Sequence, residues 1–145
     1  MTIPKIVIAD DNVPNLELLR AILDGEAELH CAMDGVEAVA LVQRHRPRLA
    51  ILDLQMPVLD GYGALAAIRS ASPETKPFLV ALTASAMSQD RERALQAGFD
   101  AFVTKPVEPV PFRRLVRRWL GVDADAATNP EDKEIWGPST PKAAD

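Results

Sequence analysis

Residues 78–82 read Phe-Leu-Val-Ala-Leu, an uninterrupted apolar run that ends at Thr83. A short apolar run without polar alternation is typical of a strand that is buried on both faces of a sheet. Such strands occur in parallel sheets, because the helices that connect parallel strands cover both faces. The stretch therefore predicts a parallel sheet between two layers of helices.

Four other short runs share this character, and segments with helical spacing separate all five. Gly, Pro, Asp or Ser bound each run, as expected for strands. The predicted strands are Lys5–Ala9, Glu28–Met33, Arg48–Leu52, Phe78–Leu82 and Ala101–Thr104. Apolar positions that recur with helical spacing mark helices between and after them: Val13, Leu16, Leu19 and Leu23; Val36, Val39 and Val42; Leu65 and Ile68 within 62–70; 87–97; and Phe112, Leu115, Val116 and Trp119. This alternation predicts an α/β fold with a doubly wound, five-stranded parallel sheet.

The composition is that of one folded domain with a tail. The chain has 145 residues, of which 48% are hydrophobic, enough for a single core. After Gly121 the periodicity stops, so we expect a domain over residues 1–121 and a flexible acidic tail over residues 122–145. The net charge of -5 argues against nonspecific nucleic-acid binding. One cysteine and no long apolar run predict a cytoplasmic protein without membrane insertion.

Polar residues stand at the ends of four predicted strands. They are Asp10 and Asp11, Asp53, Thr83 and Lys105. Parallel strands bring these ends to one edge of the sheet, where ligands bind in folds of this kind. Each residue taken singly is better explained by a structural role, as a turn former, a helix cap, a strand end or a solvated side chain. Their convergence on one edge predicts a functional site.

The residue types at this edge suggest phosphoryl transfer. Carboxylates held close together repel one another unless a cation or a proton neutralises them. Mg²⁺ suits carboxylates, a backbone carbonyl and waters, and it commonly binds a substrate phosphate. Asp53 can then act as a nucleophile toward phosphorus and form an aspartyl-phosphate. Lys105 would stabilise charge on the phosphoryl oxygens, and Thr83 would add a hydroxyl donor.

Over about residues 4–120 the sequence resembles the response-regulator receiver domains. The resemblance rests on four motifs at the strand ends: Asp10-Asp11, residues 53–61 (Asp-Leu-Gln-Met-Pro-Val-Leu-Asp-Gly), Thr83-Ala84 and Lys105-Pro106. It implies the flavodoxin-like (βα)5 fold with strand order 2-1-3-4-5. It also implies two-component signalling, in which the domain accepts a phosphoryl group from a phosphohistidine or a small phosphodonor and is not an enzyme acting on other substrates.

The resemblance implies the metal site and the phosphoacceptor. Asp53 is the expected phosphoacceptor. The expected Mg²⁺ ligands are Asp11, Asp53 and the backbone carbonyl of Gln55, with Asp10 acting through a water. The Lys105-Pro106 peptide bond is expected to be cis. Within the loop that follows Asp53, Gly61 is expected to permit a positive φ.

Further roles follow from the same resemblance. Thr83 and Lys105 would contact the phosphoryl group, and Thr83 would act in the switch together with Phe102, which stands where the family carries a switch aromatic. Phe102 is equally well explained as an ordinary core residue. The side chains of Gln55 and Ser85 would tune hydrolysis, although Ser85 could also simply begin the fourth helix.

The resemblance also implies partners: a sensor histidine kinase, a histidine phosphotransfer protein and a downstream protein target at the surface near the fourth helix, fifth strand and fifth helix. About 25 residues follow the fifth helix, so we expect no DNA-binding domain there. A stand-alone receiver and a receiver within a hybrid kinase relay both remain open.

Two functions from other classes were compared with this interpretation. A flavin carrier has the same sheet, but Asp10 and Asp11 would repel its phosphate. An aspartate-nucleophile phosphatase would need a second acid beside Asp53, where the chain has Leu54 and Gln55. The two histidines, His30 and His45, are expected to be ordinary surface residues, with His45 at the end of the second helix.

Overall fold

The computed structural model describes residues 3–71 and 76–121. Within these ranges, strands and helices alternate along the chain: β1 (Lys5–Ala9), α1 (Val13–Leu23), β2 (Glu28–Ala32), α2 (Gly35–His45), β3 (Leu49–Asp53), α3 (Gly61–Ala71), β4 (Phe78–Thr83), α4 (Ser88–Ala97), β5 (Ala101–Thr104) and α5 (Pro109–Trp119). The strands form one parallel sheet in the order β2-β1-β3-β4-β5. This confirms the predicted fold class and strand order. The predicted tail, residues 122–145, lies outside the described residues.

Two strand ends differ from the prediction in a way that matters for the site. Asp53 and Thr83 are the last residues of β3 and β4, whereas the sequence suggested that they follow their strands. The sheet ladder explains the difference, because Asp53 pairs with Leu82 and Thr83 pairs with Thr104. Regular strand geometry therefore holds both polar residues in place.

Helices cover both faces of the sheet, as the apolar strands predicted. One apolar cluster joins one face of the sheet to α1 and α5, and a second joins the other face to α2, α3 and α4. Strand β3 lies in the middle of the sheet and is buried along its whole length. Burial of one large aliphatic side chain contributes about 1.5–3 kcal/mol, so this double-sided core is the main source of stability. No helix in the two described ranges is long and apolar enough to cross a membrane.

The first turns of two helices depart from the predicted apolar stripes. Val13 in α1 is 46% exposed, and Val36 in α2 is 53% exposed. Both belong to the first helical turn. In α2 the buried positions are Gly35, Ala38 and Val42, so the prediction holds at Val42, whereas Gly35 and Ala38 are buried in place of Val36 and Val39. Asn12 is the N-cap of α1, and its side chain accepts a hydrogen bond of 3.0 Å from the amide of Asn15.

The start of α2 lies directly against the loop that follows β3. A Cβ placed on Gly35 would lie 1.9 Å from the carbonyl oxygen of Leu59. Gly35→Ala must therefore push two backbone segments apart. We expect the free energy of unfolding to fall by about 3 kcal/mol, the upper end of the usual cost of overpacking, as measured by urea denaturation.

Gly63→Ala is the matched control for this experiment. Its Cβ would meet Cδ1 of the same Leu59 at 2.4 Å, but this atom is the far end of a flexible side chain that can rotate away. Gly63 also lies within α3, where alanine is a better helix former than glycine. Equal losses of stability in the two variants would show that the backbone contact at Gly35 is unimportant.

Candidate functional site

The carboxyl ends of four strands bring the predicted residues together at one edge of the sheet. Asp10 directly follows β1, Asp53 and Thr83 end β3 and β4, and Lys105 directly follows β5. Asp10 has no exposed surface, Asp53 is 4% exposed and Thr83 is 6% exposed. Among the described residues these are the buried polar side chains. Buried polar groups are unusual in a core and add little to its packing, so their occurrence at this one edge indicates a functional site.

Lys105 links the two buried carboxylates. Its Nζ lies 2.7 Å from Oδ2 of Asp53 and 3.1 Å from Oδ2 of Asp10. Two adjacent buried carboxylates require a nearby positive charge, because low polarity strengthens their mutual repulsion and removes hydration. The ammonium group supplies that charge through a hydrogen bond to Asp53 and an ion pair with Asp10.

Backbone amides bind the other carboxylate oxygen of each buried aspartate and the hydroxyl oxygen of Thr83. The Asn12 amide donates to Oδ1 of Asp10 at 2.9 Å, and the Gln55 amide donates to Oδ1 of Asp53 at 3.0 Å. In the same way, the Ser85 amide donates to Oγ1 of Thr83 at 3.1 Å. Each bond spans two residues, as in turns formed by Asp or Thr side chains. The same three side chains therefore form turns and also line up at the functional site.

The environment shifts the pKa values of Asp53 and Lys105. Burial raises the pKa of the Asp53 carboxyl above its usual value, and the Asp10 charge acts in the same direction, against the hydrogen bonds from Lys105 and Gln55. Burial by itself would lower the pKa of Lys105, but its hydrogen bonds to Asp53 and Asp10 outweigh burial and raise it. The lysine stays charged, and the carboxylates favour additional positive charge.

The residues present fit a hard cation such as Mg²⁺. Carboxylate oxygens of Asp10, Asp11 and Asp53 all lie within 4.8 Å of one another. Asp11 is exposed at the mouth of a cleft of about 470 Å³ that Asp53, Gln55 and Lys105 also line. Oxygen ligands beside an open, water-accessible space are the arrangement that Mg²⁺ prefers, since it keeps several waters. Among the described residues, this cluster holds three carboxylates, and Lys105 pairs with those of Asp10 and Asp53, which leaves negative charge for a cation to neutralise.

The predicted tuning residues, Gln55 and Ser85, lie two residues after Asp53 and Thr83, respectively. Gln55 is exposed and lines the main cleft and a neighbouring cavity of about 220 Å³, which Thr83 and Ser85 also line. The Ser85 hydroxyl donates to Oδ2 of Asp90 and accepts a hydrogen bond of 3.3 Å from the amide of Met87. Helix α4 begins at Ser88 with Met87 as its N-cap, so Ser85 is not the residue that caps it.

The sequence interpretation missed Asp90. Its carboxylate receives the Ser85 hydroxyl, and it lines the smaller cavity together with Arg93. In the sequence, Asp90 is visible only as an acidic residue in the first turn of a helix. An acidic residue there is explained equally well by its favourable interaction with the helix dipole. Only the folded loop between β4 and α4 shows that Asp90 points back toward the strand end.

Phe102 lies in the core beneath α4. It is 1% exposed and packs in the apolar cluster between the sheet and α2, α3 and α4. The guanidinium carbon of Arg91 lies 5.9 Å from the centre of its ring, within the range of a cation–π contact. The ring therefore occupies a buried position next to the helix that begins beside Thr83.

The loop after β3 is built differently from the prediction. Gly61 was expected to permit a positive φ, but the positive φ of this loop, 69°, belongs to Val58. Gly61 is required for another reason, because a Cβ there would lie 2.6 Å from the carbonyl oxygen of Asp53. The Lys105-Pro106 peptide bond is cis, as predicted.

Comparison with known proteins gives a family and several full-length matches. The sequence matches the response regulator receiver domain family over residues 6–117. It is 38% identical over 116 residues to an uncharacterized 14.6 kDa protein of Leptolyngbya boryana, covering 79% of this chain and 88% of that protein. It is 31% identical over 120 residues to the polar-differentiation response regulator DivK of Brucella anthropi, covering 81% of this chain and 98% of DivK.

Other matches are domains of larger proteins or complexes. The chain is 37% identical over 123 residues to the sensor protein GacS of Pseudomonas syringae, spanning 82% of this chain but only 14% of GacS. Among solved structures, the receiver domain of a Pseudomonas aeruginosa sensor histidine kinase, with magnesium in its active-site cleft, has a TM-score of 0.74 at 34% identity, covering 81% of this chain and 98% of that one. The receiver domain of Ssk1 from Saccharomyces cerevisiae, in complex with the histidine phosphotransfer protein Ypd1, has a TM-score of 0.75 at 28% identity, covering 90% and 97%.

Proposed function

The chain belongs to the response regulator receiver domain family and has its two-component phosphoacceptor role, and we propose that Asp53 is the residue that takes the phosphoryl group. The observation that carries this proposal is the position of its carboxylate. Oδ1 is held by the amide of Gln55, Oδ2 faces Lys105, and the side chain lines the open cleft with Asp11. Asp10 has no exposed surface and does not line that cleft, so it is poorly placed to meet a donor.

In the proposed reaction, a carboxylate oxygen of Asp53 attacks the phosphorus of a phosphohistidine. The new P–O bond forms as the P–N bond breaks, and the donor imidazole leaves with the electron pair and takes up a proton. A water later cleaves the aspartyl-phosphate to inorganic phosphate. Lys105 would contact the phosphoryl oxygens, and the distance of 2.7 Å between its Nζ and Oδ2 of Asp53 supports this role. Thr83 offers a hydroxyl at the adjacent strand end.

The cation that we propose for this site is Mg²⁺. Asp11, Asp53 and the backbone carbonyl of Gln55 would bind it directly, and Asp10 would bind it through a water. When bound, it would neutralise negative charge on both the carboxylates and the incoming phosphoryl group. The described acidic cluster and the magnesium in the similar Pseudomonas aeruginosa receiver support this choice.

We further propose that phosphorylation switches the surface formed by α4, β5 and α5 through Thr83 and Phe102. Thr83 ends β4 and its hydroxyl is bonded by the amide of Ser85, so a pull on this hydroxyl displaces the loop that leads to α4. Phe102 lies under that helix and would follow the movement. A downstream protein target, without direct nucleic-acid contact or membrane insertion, would read the changed surface.

Gln55 and Ser85 are proposed to set the lifetime of the phosphoryl group. Gln55→Ala is expected to change the rate of label loss several-fold, because its exposed side chain lines the space that an attacking water must cross. The rate should be followed after removal of the phosphodonor. Gln96→Ala, an exposed change at the far end of α4, is the matched control. Unchanged decay in Gln55→Ala would remove Gln55 from the tuning role.

Profiling phosphotransfer tests the proposed function directly. Purified sensor histidine kinases and histidine phosphotransfer proteins, each carrying labelled phosphohistidine, would be mixed with the chain for short times. We expect rapid transfer from a small subset of donors, and no transfer from any donor would contradict the proposal.

Two protein architectures are compatible with the proposed function. A stand-alone receiver has a match of similar length in DivK, and a receiver within a hybrid kinase relay has a match in a domain of the larger protein GacS. The proposed location is cytoplasmic, and we propose no enzymatic activity beyond promoting its own phosphorylation and dephosphorylation.

A further inference from the structure

A second cluster of potential ligands lies on the edge strand β2 and the end of α2. The His30 and His45 rings stack with their centres 3.6 Å apart, and Nε2 of His30 lies 2.7 Å from Oε2 of Glu28. The sequence suggested that both histidines are ordinary surface residues, but both are half-buried and in contact. Fifteen residues separate them in the chain, so only the packing of α2 beside β2 brings them together.

The cluster is separate from the phosphoacceptor site. Glu28 pairs with Lys5 at the beginning of the sheet ladder, and His30 pairs with Val7 in its middle. Asp10 and Asp53 lie at the opposite, carboxyl end of the strands. His45 is the last residue of α2, which runs back toward the beginning of the sheet. The proposed phosphorylation chemistry therefore uses none of these three side chains.

The backbone holds the three side chains on regular elements. Glu28 and His30 are two residues apart in β2, so they project from the same face of the strand. His45 precedes Arg46, whose left-handed conformation, with φ of 49°, ends the helix and whose amide donates to the Val42 carbonyl. Ligands that are held by strands and helix ends need little rearrangement of the backbone to reach a common ion, so the change on binding falls on the side chains.

From this geometry we propose that Glu28, His30 and His45 form a binding site for a divalent transition-metal ion of the zinc class. One ligand atom from each residue lies within 4.8 Å of the others. Tetrahedral Zn²⁺ with bonds of about 2.0–2.1 Å separates its ligand atoms by about 3.4 Å, so only a modest closure is required. Two imidazoles and one carboxylate suit Zn²⁺, Ni²⁺ or Cu²⁺, whereas Mg²⁺ prefers oxygen ligands. Three protein ligands leave a fourth position for water.

The proposal also predicts how the site changes on binding. The stacked rings are nearly parallel, with 15° between their planes, and an ion must lie close to the plane of each ring that binds it. Metal binding is therefore expected to open the stack. Burial and the nearby charges of His30, Lys5 and Arg44 lower the pKa of His45, against the charge of Glu28. The neutral imidazole is the form that binds metal.

Titration of the full chain with Zn²⁺ in excess Mg²⁺ tests the site. Excess Mg²⁺ occupies the oxygen ligands around Asp53, and calorimetry then measures the remaining Zn²⁺ binding. The chain has two histidines, both in this cluster, so the imidazole signals in ¹H–¹⁵N NMR report on this site alone. We expect one Zn²⁺ per chain, with both imidazole signals shifted at saturation. His30→Gln and His45→Gln should each weaken Zn²⁺ binding at least tenfold.

Two controls separate the site from other acidic groups. Asp11→Asn removes an exposed ligand of the other cluster, and Glu37→Gln removes a carboxylate on α2 outside this one; neither should weaken Zn²⁺ binding. Circular dichroism shows whether each variant folds. If a histidine variant does not fold, the wild-type NMR titration decides alone. Absence of saturable binding, unshifted imidazole signals, or equal affinity in folded histidine variants would each overturn the proposal.

Discussion

Asp53→Asn is expected to reduce covalent labelling by acetyl phosphate and Mg²⁺ to background. An amide is a far weaker nucleophile toward phosphorus than a carboxylate, so the aspartyl-phosphate does not form. The fold should survive, because the Asn oxygen can still accept the hydrogen bond from the Gln55 amide and Lys105 keeps its ion pair with Asp10. The measurement is the amount of acid-stable, base-labile label on the folded protein.

Asp60→Asn is the matched control for this experiment. Asp60 lies in the same loop, is exposed, and accepts a hydrogen bond of 2.8 Å from the Gly63 amide that an Asn side chain can also accept. This variant should be labelled like the wild type. Undiminished labelling of Asp53→Asn would refute the assignment, and peptide mapping would then show whether Asp10 or Asp11 carries the label. Loss of labelling in both variants would point to a disturbed loop rather than a lost nucleophile.

The fold and the strand-end residues were predictable because their signals do not depend on distant contacts. An apolar run such as residues 78–82 reports burial on both faces, and parallel strands must end at a common edge. Asp53 and Lys105 could therefore be placed together although 52 residues separate them. The assignment of the individual ligand and switch roles came from family resemblance and remains a prediction.

The misses have a common physical cause, which is tertiary packing. Helical periodicity marked Val36 as buried, but the contact of Gly35 with Leu59 sets how α2 approaches the sheet. A positive φ is usually a glycine property, yet in the loop after β3 it falls on Val58. The stacking of His30 on His45 and the bond from Ser85 to Asp90 join residues whose separation in sequence carries no periodic signal.

Lys105→Met is expected to make the stability of the protein strongly dependent on Mg²⁺. Methionine keeps most of the side-chain volume but removes the ammonium that pairs with the buried carboxylates of Asp10 and Asp53. Removing one partner of a fully buried pair costs about 3–5 kcal/mol. The Lys105 side chain is 22% exposed, so water screens part of the interaction and we expect a loss of about 2 kcal/mol without Mg²⁺.

A cation bound by the same carboxylates replaces the missing charge, so Mg²⁺ should restore most of the lost stability and should bind at least as tightly as in the wild type. Urea denaturation with and without Mg²⁺ measures this difference, and Lys76→Met, an exposed change, is the control that should show no such dependence. Phosphorylated Lys105→Met should also fail to shift the amide NMR signals of β5, because no ammonium joins β5 to the phosphoryl group. A stability deficit that Mg²⁺ leaves unchanged would mean that Lys105 supports packing and not charge balance. Wild-type NMR shifts in β5 would mean that Lys105 does not link the phosphoryl group to this strand.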